Sequence, residues 1–95
     1  MAAYIVANVE VTDRAAYEEY RQLVPAVIAA HGGRYLARGG ATEVLEGETV
    51  PHRMVILEFQ SMAQAQAFYH SPEYQRLVAI RQRTARSSLL AIEGI

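Results

Sequence analysis

Cysteine is absent from the 95 residues of this chain, so neither disulfide bonds nor a thiolate metal site can stabilise it. A chain of this length buries only about 60 to 65% of its unfolded surface on folding, which limits it to one core. We therefore expect a single domain over residues 1–95. Hydrophobic packing and contacts between subunits are the terms expected to stabilise that domain.

Lysine is also absent, because all nine basic residues are arginine, and ten acidic residues bring the net charge to -1. A charge so close to zero gives no long-range attraction for nucleic acid or for an anionic membrane. No segment approaches the roughly 20 apolar residues that a membrane helix needs, and the N-terminal residues lack the basic start of a signal peptide. We expect a cytoplasmic protein that binds neither nucleic acid nor membrane.

The motifs of common cofactor and nucleophile sites are missing as well. There is no glycine-rich phosphate loop, no GxSxG elbow and no cysteine–histidine pair, so nothing indicates nucleotide binding or covalent hydrolysis. The three histidines, His31, His52 and His70, do not stand at metal-ligand spacing. We expect no metal and no bound cofactor, and haem has no support beyond the presence of a lone histidine.

Four segments have patterns typical of strands. They are Tyr4–Val11, Arg34–Arg38, Arg53–Phe59 and Leu89–Glu93. Gly39 and Gly40 interrupt the second strand, and residues 42–46 are a candidate continuation of it. Residues 41–48 form either regular strand or an arm that reaches a partner subunit. We expect the third strand to be the most buried.

A first amphipathic helix is predicted after an N-cap at Thr12 or Asp13, with apolar residues at helical spacing up to the stop at Gly32 and Gly33. Tyr17 and Tyr20 lie on its apolar side. Pro25 removes the backbone hydrogen bond to the carbonyl of Arg21, so we expect a kink or a break near residues 23–25.

The second helical region begins with a capping box, Ser61 with Gln64, and restarts at Ser71 and Pro72. Serine as N-cap and proline at the first helical position are mutually consistent signals. The restarted helix is predicted from Pro72 to about Thr84. Its inward face should carry Tyr74, Leu77, Val78 and Arg81.

The order strand, helix, strand, strand, helix, strand predicts an α+β chain with the ferredoxin-like βαββαβ plan and a four-stranded antiparallel sheet. Two helical regions cover only one face of such a sheet. The other face should still present Val6, Met54, Ile56, Leu89 and Ala91, a large apolar patch if it were left exposed. We therefore predict a homodimer that packs sheet to sheet into a dimeric α+β barrel.

Several segments together resemble one known family, the domain-of-unknown-function family 1330 (DUF1330) of the dimeric α+β barrel superfamily. The resemblance covers nearly the whole chain, and the most recognisable segments are residues 9–13, 31–40, 45–47, 57–59 and 69–75, followed by Arg81. It implies a ferredoxin-like homodimer and carries no established activity. Wider relatives include cofactor-independent monooxygenases, haem enzymes and isomerases, which indicates only where a site would lie.

The candidate ligand-binding residues lie in two segments. Arg38 beside Gly39 and Gly40 can place a guanidinium and bare amides around an anionic or carbonyl-bearing ligand, although a strand bulge with a surface arginine explains the same residues. The second segment offers Tyr69, Ser71, Tyr74 and, further along, Arg81. Its structural interpretation is strong, because Ser71 is explained as a helix cap and Tyr74 as a core aromatic.

The candidate catalytic residues are Glu58 and His31. The strand pattern of Glu58 indicates the cavity face of a central strand, where burial would raise the pKa of its carboxyl and suit it to general-base work. An ion pair with Arg38, Arg53 or Arg86 is the simpler interpretation of Glu58. His31 precedes the helix-ending glycines, and an interaction with the negative end of that helix explains it equally well.

Two functional hypotheses follow. In the first, the barrel cavity binds a small organic molecule and catalyses proton transfer or oxygenation on it without a cofactor, with Arg38 orienting the ligand. In the second, the protein is a non-enzymatic binding or interaction module whose interior is filled by side chains. A cavity lined by several convergent polar groups would favour the first hypothesis, and a closed apolar interior would favour the second.

Overall fold

The computed structural model describes all 95 residues, Met1–Ile95. It contains four strands and three helices, in the order β1 Ala3–Val11, α1 Arg14–Ala30, β2 Arg34–Arg38, β3 Arg53–Phe59, α2 Met62–His70, α3 Pro72–Thr84 and β4 Ala85–Glu93. The strands form one antiparallel sheet in the spatial order β2-β3-β1-β4. The ferredoxin-like α+β fold predicted from the sequence is confirmed.

Each helix begins at a side-chain cap that the sequence indicated. The Oδ1 atom of Asp13 accepts a hydrogen bond from the amide of Ala16 at 3.1 Å. The hydroxyls of Ser61 and Ser71 accept from amides three residues later, both at 3.1 Å. Such caps satisfy amides that have no partner within the helix. Helix α1 continues through Pro25 to Ala30, so the expected break at this proline is wrong.

Strand β1 is the most buried strand, and the prediction that β3 would be so is wrong. Both strands have a neighbour on each side. In β1, however, every residue on the helix face from Ala3 to Val9 is buried, whereas in β3 only Leu57 and Phe59 are. Arg53 and Val55, in the first half of β3, are only partly buried and line a cavity.

The open face of the sheet, on the side away from the helices, differs from the prediction in β4. This strand begins at Ala85, four residues earlier than expected, and pairs with the whole length of β1. In its register Leu89 lies opposite Ala7 and Ala91 opposite Ile5, which places both on the helix face. Leu90 and Ile92 take the open face instead and are 59% and 55% exposed.

The segment between β2 and β3, residues 39–52, contains no strand, so the predicted continuation at 42–46 is wrong. Asn8 on β1 fixes the end of this segment. Its amide nitrogen donates to the carbonyl of Val50 at 3.0 Å, and its carbonyl accepts from the amide of His52 at 2.8 Å. In this chain no helix combines the length and the apolar character required to cross a bilayer.

Candidate functional site

A narrow cavity lies between the helix face of the sheet and helices α1 and α3. Its volume is about 40 Å³, which is enough space for a few water molecules. Of its 17 lining residues 13 are aliphatic or aromatic, four of them tyrosines, and the other four are arginines, so every polar side chain of the lining is a tyrosine or an arginine. Those groups are Tyr17, Tyr20, Tyr35 and Tyr74 and the guanidinium groups of Arg21, Arg38, Arg53 and Arg81.

An open cleft of about 640 Å³ adjoins this cavity at the ends of β1 and β3. The cavity and the cleft share Val9, Tyr17, Arg21 and Arg53. The cleft is the more polar of the two, because Glu10, Glu18 and His52 also line it. Together they form a path from solvent into the interior of the subunit.

Two arginines of the inner cavity have a buried Nε atom without a hydrogen-bond partner. Arg81, on α3, is only 5% exposed, and no protein group accepts a hydrogen bond from its Nε atom or from that of Arg53. The two salt bridges of the chain join Arg21 to Glu18 and Arg34 to Glu58. No carboxylate lines the inner cavity. A buried guanidinium without a carboxylate partner is costly.

Arg38 lies at the edge of the cavity, held from two sides. Its Nη2 atom donates a hydrogen bond to the backbone carbonyl of Arg21 at 3.1 Å. Its guanidinium carbon lies 4.6 Å from the ring centroid of Tyr35, within the range of a cation–π contact. These contacts fix the side chain of β2 against helix α1.

Two tyrosine hydroxyls meet inside the cavity. The hydroxyl oxygens of Tyr20 and Tyr74 are 2.7 Å apart and buried. Burial raises the pKa of Tyr20, and the neighbouring Tyr74 raises it further. Burial also raises the pKa of Tyr17, although the nearby guanidinium of Arg53 opposes this shift. Both phenols therefore stay protonated at neutral pH and can donate hydrogen bonds.

Four of the nine residues proposed from the sequence lie at this site. Arg38, Tyr74 and Arg81 line the inner cavity, and Gly39 lines the cleft. Gly39 has φ = 70°, and a Cβ atom there would lie 2.6 Å from Nη1 of Arg53. A glycine at this position therefore allows Arg53 to pass close to the backbone. Gly40 lines neither the cavity nor the cleft.

The two residues proposed as catalytic lie away from the cavity. Glu58 is on the open face, where Arg34 donates to it at 2.6 Å, so the expectation that it faces the cavity is wrong. The ion pair proposed as an alternative does form, but with Arg34 and not with the arginines named. His31 ends α1, and its Nδ1 atom lies 2.9 Å from the carbonyl of Val27, in keeping with the structural interpretation.

The other two predicted ligand contacts also have structural surroundings. Ser71 caps α3 and donates its hydroxyl to the carbonyl of Phe68 at 2.8 Å. Tyr69 packs against Tyr74, with 5.7 Å between ring centroids, and lines a separate shallow groove beside β4. Neither residue reaches the inner cavity.

The cavity also contains polar residues that sequence reasoning did not select as ligands, namely Tyr17, Tyr20, Arg21, Tyr35 and Arg53. The signal for Arg53 was available, because it is the one charged residue on the inward face of β3, among Val55, Leu57 and Phe59. The two tyrosines of α1 were expected to face inward but were interpreted as core residues. Only the packing shows that their hydroxyls border a cavity.

Comparison with known families gives one match over almost the whole chain. The family described as "Domain of unknown function (DUF1330)" matches residues 2–95, which confirms the resemblance seen in the sequence. No curated protein matches the chain at a significant level.

Solved structures with the same fold come from several bacteria. The RPA0582 protein of unknown function from Rhodopseudomonas palustris has a TM-score of 0.77 at 21% identity, over 99% of this chain and 82% of its own. SnoaB, a cofactor-independent oxygenase from Streptomyces nogalater, gives 0.68 at 11% identity, over 99% and 93%. A dimeric ferredoxin-like protein of unknown function from Jannaschia sp. CCS1 gives 0.67 at 15%, over 99% and 100%. At these identities the likeness shows the fold alone.

Proposed function

The chain belongs to the DUF1330 family, and from that premise we propose that it is a homodimer in which each subunit binds a small organic molecule in the cavity between sheet and helices. The observation that carries this proposal is the convergence of tyrosine hydroxyls and guanidinium groups in an otherwise apolar cavity that opens to a cleft. Apolar walls with a few fixed polar groups are typical of small-molecule sites.

The inner cavity is smaller than an ordinary ligand pocket, so a side chain that borders it would have to move when a ligand binds. A volume of about 40 Å³ is below that of ordinary ligand pockets, which run from about 300 Å³ upwards. Arg53 borders both the cavity and the cleft, and it has a long flexible side chain. Rotation of this side chain into the cleft would widen the cavity. A ligand would then enter from the cleft and occupy the space that the guanidinium of Arg53 had filled.

Dimer formation is proposed from the open face of the sheet. Val6, Met54 and Ile56 are only partly covered there, and Leu90 and Ile92 are more than half exposed. A continuous apolar surface of this kind is typical of a protein interface. The Jannaschia protein with this fold is itself described as dimeric. A second copy of the chain that packs sheet to sheet would cover this surface in both subunits.

Catalysis without a cofactor is a second candidate function. The SnoaB oxygenase has this fold, and the guanidinium groups of the cavity would stabilise a negative charge that develops on a bound substrate. No carboxylate or imidazole lines the inner cavity, so a base would have to act from the cleft, where Glu10 and His52 lie. The absence of a base inside the cavity favours binding over turnover.

The test combines native mass spectrometry with a variant that fills the cavity. We expect the purified protein to be a dimer, and a fragment panel followed by NMR to give shifts at cavity residues. Ala7, which is buried and lines the cavity, would be replaced by leucine, an overpacking change that costs about 1 to 3 kcal/mol. Ala7→Leu should abolish fragment binding. The exposed Ala67 supplies the control, Ala67→Leu.

The outcomes separate the alternatives. A monomer would contradict the dimer, and a panel in which no fragment shifts the cavity residues would contradict ligand binding. Oxygen consumption in the presence of a bound fragment would establish the enzymatic candidate. Fragments that bind equally well to Ala7→Leu would place the site elsewhere on the molecule.

A further inference from the structure

The charged groups of the inner cavity are all positive. Arg21, Arg38, Arg53 and Arg81 line it, with no aspartate or glutamate among the 17 lining residues. The guanidinium of Arg21 is neutralised by Glu18, through contacts of 2.6 and 2.9 Å. The other three guanidinium groups take part in no salt bridge. The cavity therefore carries uncompensated positive charge that faces inward.

Arg81 is the most buried of these cations. It lies on the inward face of α3, with 5% of its surface exposed, and no protein atom accepts a hydrogen bond from its Nε. Transfer of a charge from water to such a position is unfavourable unless a partner compensates for it. The neutral hydroxyl of Tyr74 is the protein group that interacts with this guanidinium, and the cavity lining contains no carboxylate, so a ligand carboxylate would supply the charge compensation that the chain lacks there.

The uncharged polar groups of the cavity also favour a ligand that accepts hydrogen bonds. The hydroxyls of Tyr20 and Tyr74 share one contact of 2.7 Å, in which only one of the two hydroxyl groups donates. Arginine has donors and no acceptor. A ligand suited to this cavity must therefore supply acceptors, and the planar fork of a guanidinium matches the two oxygens of a carboxylate.

We infer that the ligand is a small organic carboxylate with an apolar body, its carboxylate paired with Arg81 and its body against the aromatic and aliphatic walls. This inference rests on the proposed binding function and names its ligand class. The body must be small, because a cavity of about 40 Å³ admits even a single ring only after Arg53 moves. Phe68 and Tyr74, whose ring centroids are 4.4 Å apart, would contact such a ring.

The experiment compares benzoate with benzamide, which has nearly the same shape and no charge at pH 7. Each probe is titrated into the full-length protein, and the dissociation constant is obtained from chemical shifts of the cavity residues. Benzoate should bind at least about tenfold more tightly, because a charge-assisted contact with a buried partner contributes about 1.4 kcal/mol or more. Equal affinity for the two probes would overturn the carboxylate inference and leave the binding function intact. Failure of both probes to bind would overturn the two together.

Three variants show whether Arg81 is the group responsible. Arg81→Met removes the charge but keeps an apolar chain of similar length, and it should reduce the preference for benzoate to less than twofold. Arg81→Lys keeps the positive charge but lacks the planar guanidinium that pairs with both carboxylate oxygens. Its preference for benzoate over benzamide should lie between those of the parent protein and Arg81→Met. Arg83 is exposed on the same helix, so Arg83→Met is the matched control and should behave like the parent protein. A preference for benzoate that survives in Arg81→Met would overturn the assignment.

A second readout separates a ligand-binding role from a structural one. If Arg81 serves the fold, its replacement by methionine should lower the melting temperature. If it serves a ligand, the ligand-free Arg81→Met protein should melt at a higher temperature than the parent, because an unpaired buried charge has been removed. Benzoate should raise the melting temperature of the parent and not that of Arg81→Met. A lower melting temperature for ligand-free Arg81→Met would overturn the inference.

Discussion

The guanidinium of Arg38 donates a hydrogen bond to the backbone carbonyl of Arg21 at 3.1 Å. In a regular helix this carbonyl would accept from the amide of the residue four positions later, which here is Pro25. Proline has no amide hydrogen, so the carbonyl is left free, and a side chain from β2 occupies it. The proline in α1 thus creates the acceptor that holds an arginine at the edge of the cavity.

Replacement of Pro25 by alanine should restore an amide that competes with Arg38 for this carbonyl. We expect the helix to be as stable as in the parent protein or more stable. The hydrogen bond from Arg38 to the carbonyl of Arg21 should weaken, and the affinity for an anionic probe such as benzoate should fall several-fold. Urea denaturation and NMR titration measure the two effects. Pro51→Ala, in the segment between β2 and β3, is the control. An affinity in Pro25→Ala equal to that of the parent would show that Arg38 does not depend on the carbonyl.

The Tyr20–Tyr74 hydroxyl pair predicts non-additive effects on stability. Removal of either hydroxyl leaves the other buried without its partner, which costs about 1 to 3 kcal/mol. Removal of both leaves neither tyrosine hydroxyl unpaired, so the double variant Tyr20→Phe with Tyr74→Phe should lose less stability than the sum of the two single variants. A double-mutant cycle in urea measures the coupling. Additive losses would mean that the hydroxyls do not depend on each other.

Stability should fall in alkaline solution because burial raises the pKa of Tyr20 in the folded state. Below about pH 10 the phenol is protonated in both the folded and the unfolded chain, so it contributes no pH dependence. Above that pH the unfolded chain loses the proton while the folded chain keeps it, which favours unfolding. The free energy of unfolding should decrease by up to about 1.4 kcal/mol per pH unit for this group. Denaturation of the parent and of Tyr20→Phe at pH 9 to 11 should give the shallower slope for the variant.

Gly39 and Gly40 should respond very differently to alanine. Gly39 has φ = 70°, and a Cβ atom there would meet Arg53, whereas a Cβ atom on Gly40 would have no atom within 4 Å. The left-handed conformation alone costs an L-residue about 1 to 2 kcal/mol. We expect Gly39→Ala to destabilise the fold by at least that amount and to displace Arg53, and Gly40→Ala to be nearly neutral. Thermal melts of the two variants are the measurement, and equal effects would contradict it.

The open face of the sheet should control assembly. Ile56 on β3 and Leu90 on β4 both lie on that face, so Ile56→Glu and Leu90→Glu would place a charge in a sheet-to-sheet interface. Each should convert the dimer to a monomer in analytical ultracentrifugation while the far-ultraviolet circular dichroism is retained. Ala63→Glu, at an exposed position on α2, should remain dimeric. A dimer that persists in both sheet variants would assign the interface to another surface.

The fold could be predicted largely from the sequence because its signals are local. The alternation of apolar and polar residues located the central part of each strand. The N-caps Ser61 and Ser71, which are recognisable from neighbouring residues alone, located the starts of α2 and α3. The errors concern long-range pairing. Strand β4 was predicted to start at Leu89, but its pairing with β1 extends back to Ala85, and residues 42–46 had strand-like composition without a partner strand. Neither outcome follows from local preferences, since a strand exists only where another strand completes its hydrogen bonds.

The sequence by itself determined which residues face inward from the helices, including Tyr17, Tyr20, Tyr74 and Arg81, because helical periodicity is a property of adjacent residues. Only the tertiary structure decided which of them border a cavity, which cations lack a partner, and that Glu58 pairs with Arg34 on the opposite face. These outcomes depend on distances between elements remote in sequence. Small differences in side-chain volume and strand register set such distances, and one-dimensional periodicity does not contain them.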